Sequence, residues 1–178
     1  MLRPGGHKMS LATALEPLLM REVLGSFPTG VTAIAGLVDG EPLGLAANSF
    51  TSVSLEPPLV LVCIGRSSST WPELARATML GISVLSANQG HACRQLGGPR
   101  ERRFTGLDWR ATPDGAVLLD GGSAWLECSV ERQWPAGDHD IVLLRVHSLW
   151  DDRSEPPLVF YRSRTRRIEE LEGAEQAS

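Results

Sequence analysis

The chain has 178 residues, of which 42% are hydrophobic and 21% charged, which is typical of one globular domain with a substantial core. Its net charge of -4 and its pI of about 5.6 argue against a nucleic-acid or anionic-membrane partner. Three cysteines outside any C-x-x-C spacing argue against a disulfide framework and a zinc site, and they favour a reducing cytoplasm.

The two ends of the chain are expected to lie outside the folded unit. The first residues lack the apolar stretch of a signal peptide, and no run is long enough to span a bilayer. Met9 is an alternative start to Met1. The predicted organisation is a disordered extension over residues 1–10, one domain over 11–168 and a flexible tail over 169–178.

The first elements in chain order are a helix and a hairpin. Leucines at helical spacing predict a helix over residues 11–24, with Pro17 in its first turn and Gly25 as its stop. β-branched and small apolar residues then predict strands over 31–38 and 43–46. Asp39-Gly40 between them is typical of a primed hairpin turn.

A buried strand and a capped helix are predicted next. The continuously apolar residues 59–64 predict a strand buried on both faces, at the centre of a sheet. Thr70 followed by Glu73 has the form of a capping box, which predicts a helix from Thr70 to about Ala77. A strand over 79–85 and a short helix over 88–96 follow.

The second half of the chain is mainly β. Strands are predicted over 117–119, 124–134, 141–150 and 158–161, separated by glycine and proline turns. Several strands with apolar residues on both faces, and only short helices between them, favour a closed or split β-barrel over a doubly wound sheet.

The sequence lacks the common catalytic and nucleotide-binding motifs. It has no Gly-x-Gly-x-x-Gly fingerprint, no Walker loop, no Gly-x-Ser-x-Gly elbow and no histidine pair at metal-ligand spacing. Any nucleotide must therefore be held in another way.

Two polar segments stand out against the apolar strands. Residues 66–70 place a cation, hydroxyls and backbone N–H groups at a predicted helix start, which is either a phosphate site or an ordinary serine-rich loop. Residues 46–54 offer donors and acceptors along one extended segment beside apolar walls. That segment is either a binding edge for a flat heteroaromatic ring or a polar barrel rim.

Together with three further segments, these residues resemble, in order over about residues 20–167, the short-chain flavin reductase family. The segments that carry the resemblance are residues 27–32, 44–60, 67–70, 137–139 and 157–162. The resemblance implies a mainly β fold, the FMN-binding split β-barrel of Greek-key type with a few short peripheral helices. It also implies a homodimer with FMN or FAD in a groove at the subunit interface and NADH or NADPH stacked over the flavin.

The resemblance assigns roles to residues along the whole chain. The isoalloxazine ring is expected to contact two segments, and the flavin phosphate a third, with further residues near the cofactors. These residues are Thr29, Gly30 and Val31, then Ala46, Ala47, Asn48, Ser49, Thr51 and Ser52 for the ring, Ser67, Ser68, Ser69 and Thr70 for the phosphate, and Cys63, Arg103 and Phe104 near the flavin.

The nicotinamide nucleotide is expected at two other segments. His139, in Gly-Asp-His, would position it by hydrogen bonding, and Tyr161, Arg162 and Arg164 combine an aromatic ring with cations for a base and phosphates. Two departures from the family pattern are Ala46, where threonine is frequent, and the stretch around Ser163 and Thr165, where a glycine and then an aromatic residue are frequent.

The implied reaction is hydride transfer from the nicotinamide to the flavin, with reduced flavin supplied to a partner monooxygenase. This reaction requires close, parallel rings and no catalytic nucleophile, so that His139 would be a positioning residue. Two alternatives remain: a split-barrel protein that keeps its flavin without using NAD(P)H, and an oxidase of the pyridoxamine-phosphate type.

Overall fold

The computed structural model describes residues 15–168 and confirms the predicted mainly β fold with few short helices. Its helices are α1 (Pro17–Leu24), α2 (Trp71–Leu74) and α3 (Gly90–Leu96), with a 3-10 turn at Arg100–Arg102. Its strands are β1 (Thr29–Gly30), β2 (Thr32–Val38), β3 (Glu41–Ala47), β4 (Thr51–Leu55), β5 (Pro58–Gly65), β6 (Leu80–Val84), β7 (Trp109–Ala111), β8 (Val117–Leu119), β9 (Ala124–Ala136), β10 (His139–Asp151), β11 (Val159–Tyr161) and β12 (Arg164–Arg166).

Some predictions fall on the chain ends. The extension 1–10, the start at Met9, residues 11–14 of the first predicted helix and the tail 169–178 lie outside the described residues. Within residues 15–168, α1 begins at Pro17, as expected for proline in a first turn, and Gly25 follows the last residue of the helix. No helix in residues 15–168 is long and apolar enough to cross a bilayer.

The main sheet curls into a barrel because its two edge strands are joined by a short connection. Seven strands pair in the order β3-β2-β6-β9-β10-β5-β4, so β3 and β4 form opposite edges. A flat sheet would separate these edges by about 29 Å. Residues 48–50 connect them, and the step from Ala47 to Thr51 spans at most about 15 Å. The edges must therefore meet at this corner, which we call the seam.

The first hairpin is formed as the sequence predicts. Thr32 to Val38 of β2 pair with Glu41 to Ala47 of β3, and the two turn residues Asp39 and Gly40 have φ angles of 53° and 84°. Positive φ at both central positions is the geometry of a type I′ turn, which suits the right-handed twist of the strands.

The prediction that residues 59–64 form a central strand buried on both faces is wrong. Strand β5 lies next to edge strand β4, and its burial alternates. Val60, Val62 and Ile64 enter the core, whereas Leu61 and Cys63 are only partly covered. The outer apolar face of β5 therefore has no complete cover within residues 15–168.

Two core clusters flank strands β2 and β6. One fills the barrel and includes Ile34, Val62, Leu80 and Ile82, with Trp71 of α2 packed into it. The other packs α3 and β8 against the outside of β2 and includes Leu85, Leu96 and Leu119. Burial on both faces makes β2 rigid, and β2 holds β3 and the seam in place.

Candidate functional site

A cavity of about 310 Å³ opens at the seam, within the size range of small-molecule sites. It brings together the predicted ring-binding segment, the serine loop and the Gly-Asp-His turn, which lie far apart in sequence. We call it the seam cavity. Its lining residues are Leu45, Ala46, Ala47, Asn48, Ser49, Cys63, Ile64, Gly65, Ser68 and His139.

The wall formed by residues 46–49 is held by a side-chain clamp. Ser49 Oγ accepts a hydrogen bond from the N–H of Cys63 at 2.9 Å and donates one to the carbonyl of Cys63 at 3.0 Å. The Ser49 hydroxyl is therefore used in joining the seam to β5. The backbone N–H groups of Asn48 and Ser49 donate no hydrogen bond to any described residue and remain available to a ligand.

Two residues of the same predicted segment lie outside the cavity wall. Thr51 and Ser52 belong to β4, where they pair with Leu61 and Val60 of β5 and are exposed. The structure therefore brings only the first part of the predicted ring-binding segment, residues 46–49, into the cavity.

The serine loop after β5 is a tight turn. The Ser68 N–H donates to the carbonyl of Gly65 at 2.9 Å, and Ser68 Oγ accepts from the N–H of Trp71 at 3.2 Å. The N–H groups of Ser67 and Ser69 donate to no described residue, and both serines are exposed. Such unpaired N–H groups can bind an anion.

The predicted capping box at Thr70 is wrong. Helix α2 spans only four residues, Thr70 makes no capping hydrogen bond, and Ser68 supplies the hydroxyl instead. Glu73 forms two hydrogen bonds with Arg100, which lower the pKa of Glu73, so its carboxylate does not reach back to the helix start. Because α2 is so short, the loop N–H groups and not a helix dipole would bind an anion.

Arg103 and Thr70 are used within the fold. The guanidinium of Arg103 donates to the carbonyl of Gly98 at 2.9 Å, to the carbonyl of Gly44 at 2.9 Å and to Thr70 Oγ1 at 2.7 Å. Phe104 packs edge-on against Trp109 with ring centroids 6.4 Å apart, in the outer core. The structure does not bring these predicted cofactor residues into the seam cavity.

The Gly-Asp-His turn joins β9 to β10 beside the serine loop. Gly137 has a φ of 67°, His139 pairs with Gly65 across the ladder, and the carbonyl of Asp138 accepts from the N–H of Arg66 at 2.9 Å. A methyl group on Gly65 would lie 3.8 Å from both His139 Nε2 and Ser67 Oγ. The histidine and the anion-binding loop are therefore neighbours.

The imidazole of His139 is oriented by its neighbour in sequence. Its Nδ1 lies 2.8 Å from Asp138 Oδ1, and this hydrogen bond, followed by the charge of His139, lowers the pKa of the Asp138 carboxyl. With Nδ1 engaged, Nε2 is the ring nitrogen turned toward Gly65 and the cavity.

The remaining predicted residues form a small second sheet. Strand β1 pairs with β11, which places Thr29 opposite Phe160 and Gly30 opposite Val159, while Val31 is buried in the outer core. The Arg162 guanidinium lies 5.4 Å from the centre of the Tyr161 ring. Arg164 is exposed on β12. None of these residues lines the seam cavity.

The sequence reasoning missed residues that shape the cavity. Gly65, which leaves open space between His139 and Ser67, was signalled only by its position at the end of a buried strand. Two side-chain hydrogen bonds fix the end of the serine loop: Trp71 Nε1 donates to Gln133 Oε1 at 3.1 Å, and Gln133 Nε2 donates to Asp140 Oδ2 at 2.9 Å. The sequence pattern does not indicate these contacts.

The chemistry of the seam cavity is that of binding and orientation. It offers unpaired backbone N–H groups, small apolar walls and one oriented imidazole, and no metal-binding cluster occurs among residues 15–168. Backbone donors along one edge suit a flat polar ring, and the open space at Gly65 lets such a ring approach the loop that can hold its phosphate.

Comparison with known proteins finds a matching family and similar proteins over most of the chain. The family described as "Flavin reductase like domain" matches residues 24–169. The chain is 41% identical over 158 residues to the reductase subunit HsaB of a flavin-dependent monooxygenase from Rhodococcus jostii, covering 89% of this chain and 81% of the relative. It is 40% identical over 151 residues to a flavin reductase from Pseudomonas putida, covering 84% and 89%.

A solved structure resembles the fold closely. The NADH:FAD oxidoreductase SgcE6 of Streptomyces globisporus, in complex with NAD and FAD fragments, superposes with a TM-score of 0.82 at 36% identity. The match covers 92% of this chain and 100% of that one. A protein of similar fold is therefore known in complex with NAD and FAD fragments.

Proposed function

Because the chain belongs to the family of flavin reductase like domains, we propose that it is an NAD(P)H:flavin oxidoreductase that supplies reduced flavin to a partner monooxygenase. The observation that carries this proposal is the seam cavity, in which residues 46–49, Ser68 and His139 converge. The nicotinamide would supply a hydride and the flavin would accept it, and the residues of this cavity would hold the two groups.

The residues of the cavity would act by holding the two rings. The N–H groups of Asn48 and Ser49 would donate to the polar edge of the flavin, and those of Ser67 and Ser69 would bind its phosphate. His139 Nε2, held in place by Asp138, would hydrogen-bond the nicotinamide nucleotide. Orientation of this kind reduces the entropic part of the barrier and requires no nucleophile.

We favour NADH and FAD as the natural pair, supported by the cofactors named for the Streptomyces globisporus structure. The monooxygenase partner is supported by the role named for the Rhodococcus jostii relative. A cytoplasmic location would suit the three free thiols of Cys63, Cys93 and Cys128.

We further propose a homodimer. Large apolar side chains are exposed on β4 and β10, the two strands that flank β5, among them Leu55 at 89% and Leu149 at 69%. Large apolar side chains exposed on the two strands that flank β5 indicate a protein interface. Light scattering should give twice the chain mass. Leu55→Asp, which alters only an exposed side chain, should shift the protein toward the monomer.

The activity is tested by following NADH and NADPH oxidation by the purified protein with FMN, with FAD and without added flavin. The proposal expects oxidation that depends on added flavin and continues over many turnovers. A protein that retains flavin and oxidises neither nucleotide would contradict it. Oxidation coupled to a monooxygenase that is supplied separately would support the release of reduced flavin.

A further inference from the structure

Another cavity lies between the start of α3 and the end of the β7–β8 hairpin, where Asp108 and Asp120 flank the two strands. Its volume is about 290 Å³, and it shares no lining residue with the seam cavity. Its lining includes three carboxylates and one histidine, and no lysine or arginine. We call it the acidic cavity.

The acidic cavity has a buried floor and an exposed mouth. Ser86, Ala92 and Leu119 form the floor, and each is only 1% exposed. Asp108 and Asp120 lie at the mouth and are exposed. A ligand that enters therefore meets carboxylates first and small or apolar side chains further in.

The walls of the acidic cavity are joined by hydrogen bonds between segments far apart in sequence. The N–H of Asp120 donates to the carbonyl of Asp108 at 3.0 Å, and Gln89 Nε2 donates to the carbonyl of Asp120 at 2.7 Å. Asn88 Nδ2 donates to Glu155 Oε2 at 3.4 Å, which brings the third carboxylate to the same cavity. These contacts hold the three acidic residues around one opening.

The Ser86 hydroxyl is buried and has no hydrogen-bond partner within residues 15–168. Both backbone groups of Ser86 are used, because its N–H donates to Gln89 Oε1 at 3.0 Å and its carbonyl accepts from the N–H of Gln89 at 2.8 Å. Buried polar groups are nearly always paired, since an unpaired one has lost its hydrogen bonds to water. The hydroxyl is therefore the group at the floor that a ligand can pair with.

Two of the three carboxylates have no ion-pair partner in the described part of the chain. Asp120 is bound by Arg110, whereas Asp108 and Glu155 take part in none of the six salt bridges within residues 15–168. A cation at the mouth would reduce the repulsion between these like charges. The acidic groups are not arranged as a metal-binding cluster within that range, so their spacing suits an organic cation.

We propose that the acidic cavity binds a small organic amine that carries a neutral polar group at its other end. The ammonium lies at the mouth near Asp108 and Glu155, where it keeps part of its hydration. The alkyl chain contacts Ala92 and Leu119, and the neutral group hydrogen-bonds the Ser86 hydroxyl. Amino alcohols have this arrangement of groups. The inference goes beyond the proposed function and does not depend on it.

The test is calorimetric titration of the full chain with 4-aminobutanol, in phosphate buffer because amine buffers would compete for the cavity. Two probes with the same carbon chain are the ligand controls. Butylamine lacks the hydroxyl and should bind about two- to thirteenfold more weakly, which corresponds to one hydrogen bond. Butanediol lacks the charge and should bind about fivefold more weakly, because exposed ion pairs contribute little each.

Three variants assign these differences to residues. Ser86→Ala should abolish the advantage of 4-aminobutanol over butylamine, and it deletes a hydroxyl that bonds to no described residue. Asp108→Asn and Glu155→Gln should each weaken binding of both amines about two- to fivefold and leave butanediol unchanged. The matched control is Asp114→Asn, an exposed carboxylate in the turn at the other end of the β7–β8 hairpin, which should bind all three probes normally.

A second measurement needs no variant. The melting temperature of the unaltered protein should rise more with 4-aminobutanol than with butanediol, because a ligand that binds only the native state stabilises it. Absence of saturable binding would overturn the proposal, and so would equal affinity for 4-aminobutanol and butanediol, or unchanged binding in Ser86→Ala. NADH oxidation is measured separately. Amine binding without NADH oxidation would refute the proposed function alone, and NADH oxidation without amine binding would refute this inference alone.

Discussion

Replacement of His139 by alanine should weaken the use of the nicotinamide nucleotide more than flavin binding. The structure limits the size of the effect, because Nδ1 is already engaged by Asp138 and only Nε2 faces the cavity. One lost hydrogen bond corresponds to about 0.5–1.5 kcal/mol. The apparent KM for NADH should therefore rise about two- to thirteenfold, with the KM for flavin nearly unchanged.

The assay for His139→Ala is steady-state NADH oxidation with either substrate varied. His139→Gln keeps a hydrogen-bonding group and should recover part of the loss, whereas His91→Ala, an exposed histidine on α3, serves as the control. Asp138 has a lowered pKa and is ionised in neutral buffers, so its support of His139 should be lost only as the pH falls through that lowered value. If the KM for flavin rises more than that for NADH, the assignment of His139 is wrong.

Three further predictions concern the scaffold. Ser49→Ala leaves the N–H and carbonyl of Cys63 without their partner, and denaturant titration should show a loss of about 1–3 kcal/mol of stability together with weaker flavin binding. Gly81→Ala would place a methyl group against the carbonyl of Val117 in the core, and it should lower the free energy of unfolding by about 3 kcal/mol. A melting temperature equal to that of the unaltered protein would contradict this prediction. Burial raises the pKa of Cys128 to about 12, so thiol labelling followed by mass spectrometry should modify this residue only after unfolding, and modification of the native protein at neutral pH would refute this.

The sequence was most informative where the signal is local. Asp39-Gly40 predicted the hairpin correctly because positive φ at two adjacent positions strongly limits the residue types that fit. The prediction of a capping box at Thr70 is wrong because residues distant in sequence bind both of its side chains. Arg103, 33 residues away, occupies the threonine hydroxyl, and Arg100 occupies the carboxylate of Glu73. No pattern within the segment reveals such partners.

The candidate site was predicted in part. The residues that converge at the seam cavity, 46–49, Ser68 and His139, were all predicted from ordered motif segments. Arg103 and Phe104 were also predicted, but their interactions lie within the fold. The sequence does not distinguish an arginine that binds a ligand from one that binds backbone carbonyls, because both need the same donors.

The sequence by itself determined the mainly β class, the turn positions and the polar segments that interrupt the strands, since these depend on residue spacing and on backbone preferences over a few residues. Only the tertiary structure decided which segments meet. The three residues between β3 and β4 draw two sheet edges together and form the seam, and the hydrogen bond from the N–H of Arg162 to the carbonyl of Gly25 packs the end of α1 on the β11–β12 turn. These contacts depend on strand order and barrel closure, which join residues more than a hundred positions apart and leave no short-range pattern.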